Sequence, residues 1–169
     1  MLDELGMAIG KKAQAMVTDL YAAGNSLTVR AWKESTDQYS SAAASAVNVL
    51  VPEAPTAVAL RSGIHGQTSF TLTLANPVDV TWVANASGPA STESVSKLEC
   101  QISGITITGQ TLPPVPPATT GNPTPAIAPD SLVAKASWNM QLLSNDGSKG
   151  LHNPSFFQEV IVKTLEALK

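Results

Sequence analysis

Two histidines carry the only imidazoles of this chain, and their surroundings differ. His152 lies in the run Asn145-Asp146-Gly147-Ser148-Lys149-Gly150-Leu151-His152-Asn153-Pro154. Asn153 is a good helix N-cap, and Pro154 suits the first helical position, where its missing N–H costs nothing. His152 is therefore expected immediately before a rigid helix start, with its direction set by the chain around it. His65 lies in Ser62-Gly63-Ile64-His65-Gly66, a glycine-flanked turn ahead of an alternating strand. Imidazole is a common metal ligand, so each is a candidate; the plainer role for either is a bond to a nearby backbone group.

Other chemistry has less to stand on. Nucleophilic catalysis needs a base beside the nucleophile and an orienting group behind it. Serines are abundant, but no Gly-x-Ser-x-Gly elbow is present, nor a Gly-rich phosphate loop or dinucleotide fingerprint. Asn-Asp-Gly-Ser at 145–148 has neither the spacing nor the terminal glutamate of a calcium loop and reads as a turn. Cys100 is the single cysteine, which rules out an intrachain disulfide and any cysteine-built zinc or iron–sulfur site from this chain alone. It reads as a small buried hydrophobe in a strand. No Cys-x-x-Cys-His segment occurs, so the chain cannot attach a c-type haem covalently. The sequence supports no enzyme.

The bulk properties narrow the partners. A net charge of −3 without a Lys/Arg cluster argues against nucleic acid, which needs a basic footprint. No apolar run approaches the ~20 residues of a membrane span. Only 14% of the residues are charged, and Ala, Ser, Thr and Pro stand in their place, a composition common in secreted and cell-surface β-domains. The first residues, Met1-Leu2-Asp3-Glu4-Leu5, are acidic where a signal peptide is basic. The chain is then cytoplasmic, without its leader, or a piece of something longer. Asn85-Ala86-Ser87 matches a glycosylation sequon, a frequent chance match.

The elements that must position the histidines follow from hydrophobic period. Leu2, Leu5, Ile9, Ala13, Met16 and Leu20 make one stripe of a helix over 2–23, closed by Gly24-Asn25. Gly6 and Gly10 cost that helix about 1 kcal/mol each against alanine, which suggests that a partner helix or a flat cofactor packs closely there. Residues 26–44 are mixed, with a brief Leu27, Val29, Ala31 alternation. From 46 to 110 short β-branched runs predict five or six strands; Phe70, Leu72 and Leu74 face inward, Thr71 and Thr73 face water, and Asn76-Pro77 and Ser103-Gly104 are the expected hairpin turns. A proline-rich run over 112–125 reads as linker or surface loop. Leu132, Val133, Ala136, Met140 and Leu143 predict a helix, and Phe156, Phe157, Val160, Ile161, Thr164, Leu165 and Leu168 the buried face of the last one.

The expected fold class is α+β, a small antiparallel β-sandwich-like module inserted between amphipathic helices. Its parts are a helical segment at 1–45, the β-module at 46–110, a Pro/Thr-rich linker at 111–130 and a helix-turn-helix segment at 131–169. The three helical pieces are expected to pack on each other.

The segment Ala134-Lys135-Ala136-Ser137-Trp138-Asn139-Met140-Gln141-Leu142-Leu143-Ser144, continued by the turn to Pro154 and by Ser155-Phe156-Phe157, resembles the closing segment of multihaem c-type cytochromes. In that family a helix ends in an Asn-Asp-x-Ser-x-Gly-apolar-His-Asn-Pro turn followed by another helix. The histidine of the turn commonly serves as the distal axial ligand of a haem. The resemblance covers about a quarter of the chain and assigns that role to His152, as the metal ligand to haem iron, with His65 a second cofactor-binding candidate. It makes Asp146, Ser148 and Asn153 shapers of the turn and matches Asn139 to the asparagine of the preceding helix. Because the attachment motif is missing, haem c has to be supplied by another chain or by a missing segment, so the partner is a haem-bearing polypeptide. The resemblance implies an electron-transfer component, periplasmic or extracellular. The other reading is a cofactor-free structural or adhesive module of a cell surface or filament, self-associating as an oligomer.

Overall fold

The computed structural model describes residues 1–33, 47–64, 67–82, 91–108, 124–146, 150 and 152–169. His65, the sequon at 85–87, Ser148 and residues 34–46 and 112–123 lie outside them. The chain runs α1 (Leu2–Ala22), β1 (Ser26–Trp32), β2 (Val47–Val51), β3 (Ala57–Ile64), β4 (Gln67–Trp82), β5 (Ser91–Thr108), α2 (Leu132–Asn145) and α3 (Pro154–Leu168). This is the expected α+β arrangement, with an antiparallel sheet module between helices in the chain.

α1 forms on the stripe its sequence writes. Leu5, Ile9, Ala13 and Val17 are fully buried, Asp3 and Glu4 occupy the first turn where acidic groups favour the helix dipole, and the chain turns away at Gly24, φ 86°. The two helix glycines meet protein. A Cβ on Gly6 would lie 3.2 Å from Met140 Cε of α2, and one on Gly10 would lie 3.0 Å from the Val58 carbonyl of β3. A partner helix and a strand backbone fill the places where a flat cofactor was one of the expected occupants.

The five strands pair antiparallel in the order β2-β1-β5-β4-β3. The brief alternation at 27–31 is β1, so part of the segment expected to be helical belongs to the sheet and buries Leu27, Val29 and Ala31. Phe70, Leu72 and Leu74 face the core as expected, and Thr71 and Thr73 are half-buried on the other face. These side chains form one cluster with Leu5, Ile9, Val133, Ala136 and Ile161, so helices supply the layer opposite the sheet.

Two expected hairpin turns are bulges inside long strands. β4 runs through Asn76-Pro77, where residues 74–77 stand opposite Ser96 alone; β5 runs through Ser103-Gly104, where residues 101–104 stand opposite Arg30 alone. Proline and glycine interrupt a ladder in both situations, and a bulge accepts a missing donor as readily as a turn does. The β5 bulge also moves the inward phase from Leu98 and Cys100 to Ile105.

The end of the expected linker is anchored to this sheet. Ile107 N donates to Thr124 O and Ala126 N to Ile105 O, both at 2.8 Å, and Ala126 and Ile127 are buried. From there the chain enters α2, capped by Ser131, whose hydroxyl accepts from Ala134 N at 3.2 Å. α1, α2 and α3 all touch one another, as the inserted-module arrangement requires.

Candidate functional site

The site begins where α2 ends. Asp146 leaves helical geometry at ψ 95° while its N–H still donates to Leu142 O at 3.1 Å. Its carboxylate Oδ2 then accepts from Gly150 N at 3.1 Å, closing the start of the turn. Gly150 is buried with φ 85°, the left-handed region that favours glycine. Past the turn, Asn153 Oδ1 accepts from Phe156 N and Asn153 O from Phe157 N, each at 3.1 Å, and Pro154 opens α3. The expected capping is present in full. Asp146 and Asn153 each accept a backbone N–H at the two ends of the turn.

His152 sits between these two anchored ends with an exposed side chain. The other histidine, His65, falls outside the described residues. Asn139 has a structural use: its Nδ2 donates to Thr164 Oγ1 at 3.1 Å, while that hydroxyl donates to Val160 O at 2.6 Å. This bond ties α2 to α3 and fixes how the turn between them closes.

Large apolar side chains stand on the solvent side of the same helix pair. Trp138, Leu142 and Phe156 are 59%, 55% and 59% exposed. Phe156 was expected in the buried face of α3; Ile161, Thr164 and Leu168 are buried there, Phe157, Val160 and Leu165 partly so, and Phe156 points out. Trp138 and Leu142, one helical turn apart, lie off the stripe that buries Val133, Ala136 and Leu143. That spacing is readable in the sequence, where Trp138 and Leu142 stand four residues apart.

Among the described residues no three His, Cys, Asp or Glu side chains gather as a metal site. A metal held by His152 therefore needs further ligands from elsewhere, which a porphyrin brings with it. Cys100 takes no part. It is fully buried in β5, its thiol faces Phe70 O at 3.7 Å, and burial, with a smaller push from the Glu99 charge, raises its pKa to about 12. A thiol so placed is inert. Comparisons with protein-family models, curated proteins and solved structures give no match.

Proposed function

We propose that the α2–α3 turn is the haem-facing surface of an electron-transfer component, with His152 an axial ligand to the iron of a haem c carried by another polypeptide segment. The observation that carries the reading is an exposed imidazole held between two hydrogen-bonded anchors, on a helix pair that also exposes Trp138, Leu142 and Phe156. Contiguous exposed apolar groups mark places that something covers, and Trp138 and Leu142 stand one helical turn apart. A porphyrin presents an apolar plate and an iron that accepts imidazole, so the residues present fit the group. When bound, that group supplies one-electron uptake and release.

The chain's own residues do the rest. The His152 imidazole would hold the iron, and the capped start of α3 limits how far the ring moves. Trp138, Leu142 and Phe156 would help exclude water from the bound group. A periplasmic or extracellular address follows from haem c attachment in bacteria. The test is the visible spectrum of the natural gene product made with c-type haem maturation. Low-spin haem bands that change on His152→Ala are expected; no haem, or bands indifferent to His152→Ala, would contradict the reading.

One observation favours a cofactor-free adhesive module instead. β2 ends the strand order, and its Leu50 is 56% exposed. An edge strand with an outward leucine can pair with another chain. A colourless natural product whose self-assembly is abolished by Leu50→Lys would support that alternative.

A further inference from the structure

We infer that Gly150 and Phe157 form the contact that aims the His152 imidazole, an inference that rests on His152 being the iron ligand. They are positioning residues; neither touches the metal. Gly150 is buried, and its backbone lies so close to the first turn of α3 that a Cβ there would meet Phe157 Cγ at 2.9 Å and Phe157 Cβ at 3.0 Å. Real side chains do not tolerate such an approach, and φ 85° would strain any L residue with a side chain.

The consequence concerns the two residues that follow. Gly150 is held from behind by the Asp146 carboxylate and in front by the ring of Phe157. Phe157 is itself fixed by its N–H bond to Asn153 O. His152 lies between Gly150 and Asn153 in the chain, so both ends of its short segment press on the same helical turn. Adding a side chain at 150 has to displace Phe157 or change φ, and either movement swings the backbone that carries the imidazole. A ligand on a loosened segment loses affinity through the order it must regain on binding.

The experiment uses the whole chain with His65→Ala, which leaves His152 as the only imidazole, and a ferric haem peptide with one vacant axial position as probe. Binding is read from the Soret shift, with helix content followed in parallel by circular dichroism. Gly150→Ala is expected to weaken binding about tenfold, the lower end of what loss of an outer support costs a metal ligand. Adding Phe157→Ala to Gly150→Ala removes Cγ and the ring, the nearest of the crowding atoms, and is expected to recover part of the loss, a coupling that general damage to the fold would not give. Should Gly150→Ala fail to fold, Phe157→Ala alone keeps the glycine, removes the ring from the contact and is expected to give a smaller drop in affinity.

Unchanged affinity in Gly150→Ala, or a double variant no better than the single, overturns the inference. In the foldless case, unchanged affinity in Phe157→Ala does the same. If the parent protein does not bind the probe, or binds it equally after His152→Ala, the haem reading falls instead. The positioning role is then decided by NMR order of the His152 ring, expected to decrease in Gly150→Ala; no decrease overturns it.

Discussion

In β5 the single cysteine lies fully buried opposite Phe70, its thiol raised beyond reactivity, whereas at the α2–α3 turn the side chain of His152 is exposed, on a helix pair that also exposes Trp138, Leu142 and Phe156. The same chain thus hides its thiol and exposes an imidazole. The physical difference is in what each region packs against. β5 is the central strand, with β1 on one side and β4 on the other, and the helices cover its inner face. The turn has protein behind it and none described in front. Stability is concentrated in the sheet and its helical cover; recognition, under the reading proposed here, is concentrated at the turn.

That contrast can be broken at its strong end. Phe70→Ala removes from β4 the largest fully buried side chain among the described residues and is expected to cost about 3–5 kcal/mol in urea unfolding, enough to threaten the whole domain. A cost near zero would mean that the sheet is not the seat of stability. The second largest effect is on pH. The folded Cys100 pKa of about 12 lies above its ordinary 9.0, so its contribution to stability is complete below 9.0 and is lost as pH rises through about 12. Across that window stability is expected to fall by about 1.4 kcal/mol per pH unit from this group. Tyr21, also raised chiefly by burial, adds loss in the same direction at higher pH. Cys100→Ala should flatten the alkaline limb; an unchanged limb would contradict the buried thiol.

At the turn the expected effects on stability are smaller. Asn153→Ala removes the cap that receives Phe156 N and is expected to cost about 1 kcal/mol, measured by denaturant midpoint. Trp138→Ser is expected to change stability by less than about 0.5 kcal/mol, because an exposed side chain away from caps and core has little to lose. A loss of several times that would place Trp138 in the fold and remove it from the proposed contact surface.

Much of this organisation was legible from residue type and spacing. The Phe70, Leu72, Leu74 alternation wrote the inward face of β4, and Asn153-Pro154 wrote the start of α3 down to its capping bond. Asn76-Pro77 and Ser103-Gly104 misled because local chemistry reports an interrupted ladder without saying whether the chain reverses; that depends on where β3 and β1 stop pairing, which is a tertiary matter. The short β1 run became a strand because β2 and β5 flank it on both sides. Helical period alone puts Phe156 on the inward face, yet it is exposed while Ile161 and Leu168 are buried, because period fixes which residues share a face and not how far along the helix its neighbours reach. Gly150 was visible as a turn residue, but its contact with Phe157 is a distance and no sequence pattern encodes it.

Pulsed electron paramagnetic resonance of the natural gene product, labelled with 15N-histidine, tests the iron–imidazole bond itself. A hyperfine coupling from a histidine nitrogen to low-spin ferric iron that disappears in His152→Ala is the predicted result. A spectrum in which every coupled nitrogen survives that substitution, or in which no low-spin iron is present, would contradict the account.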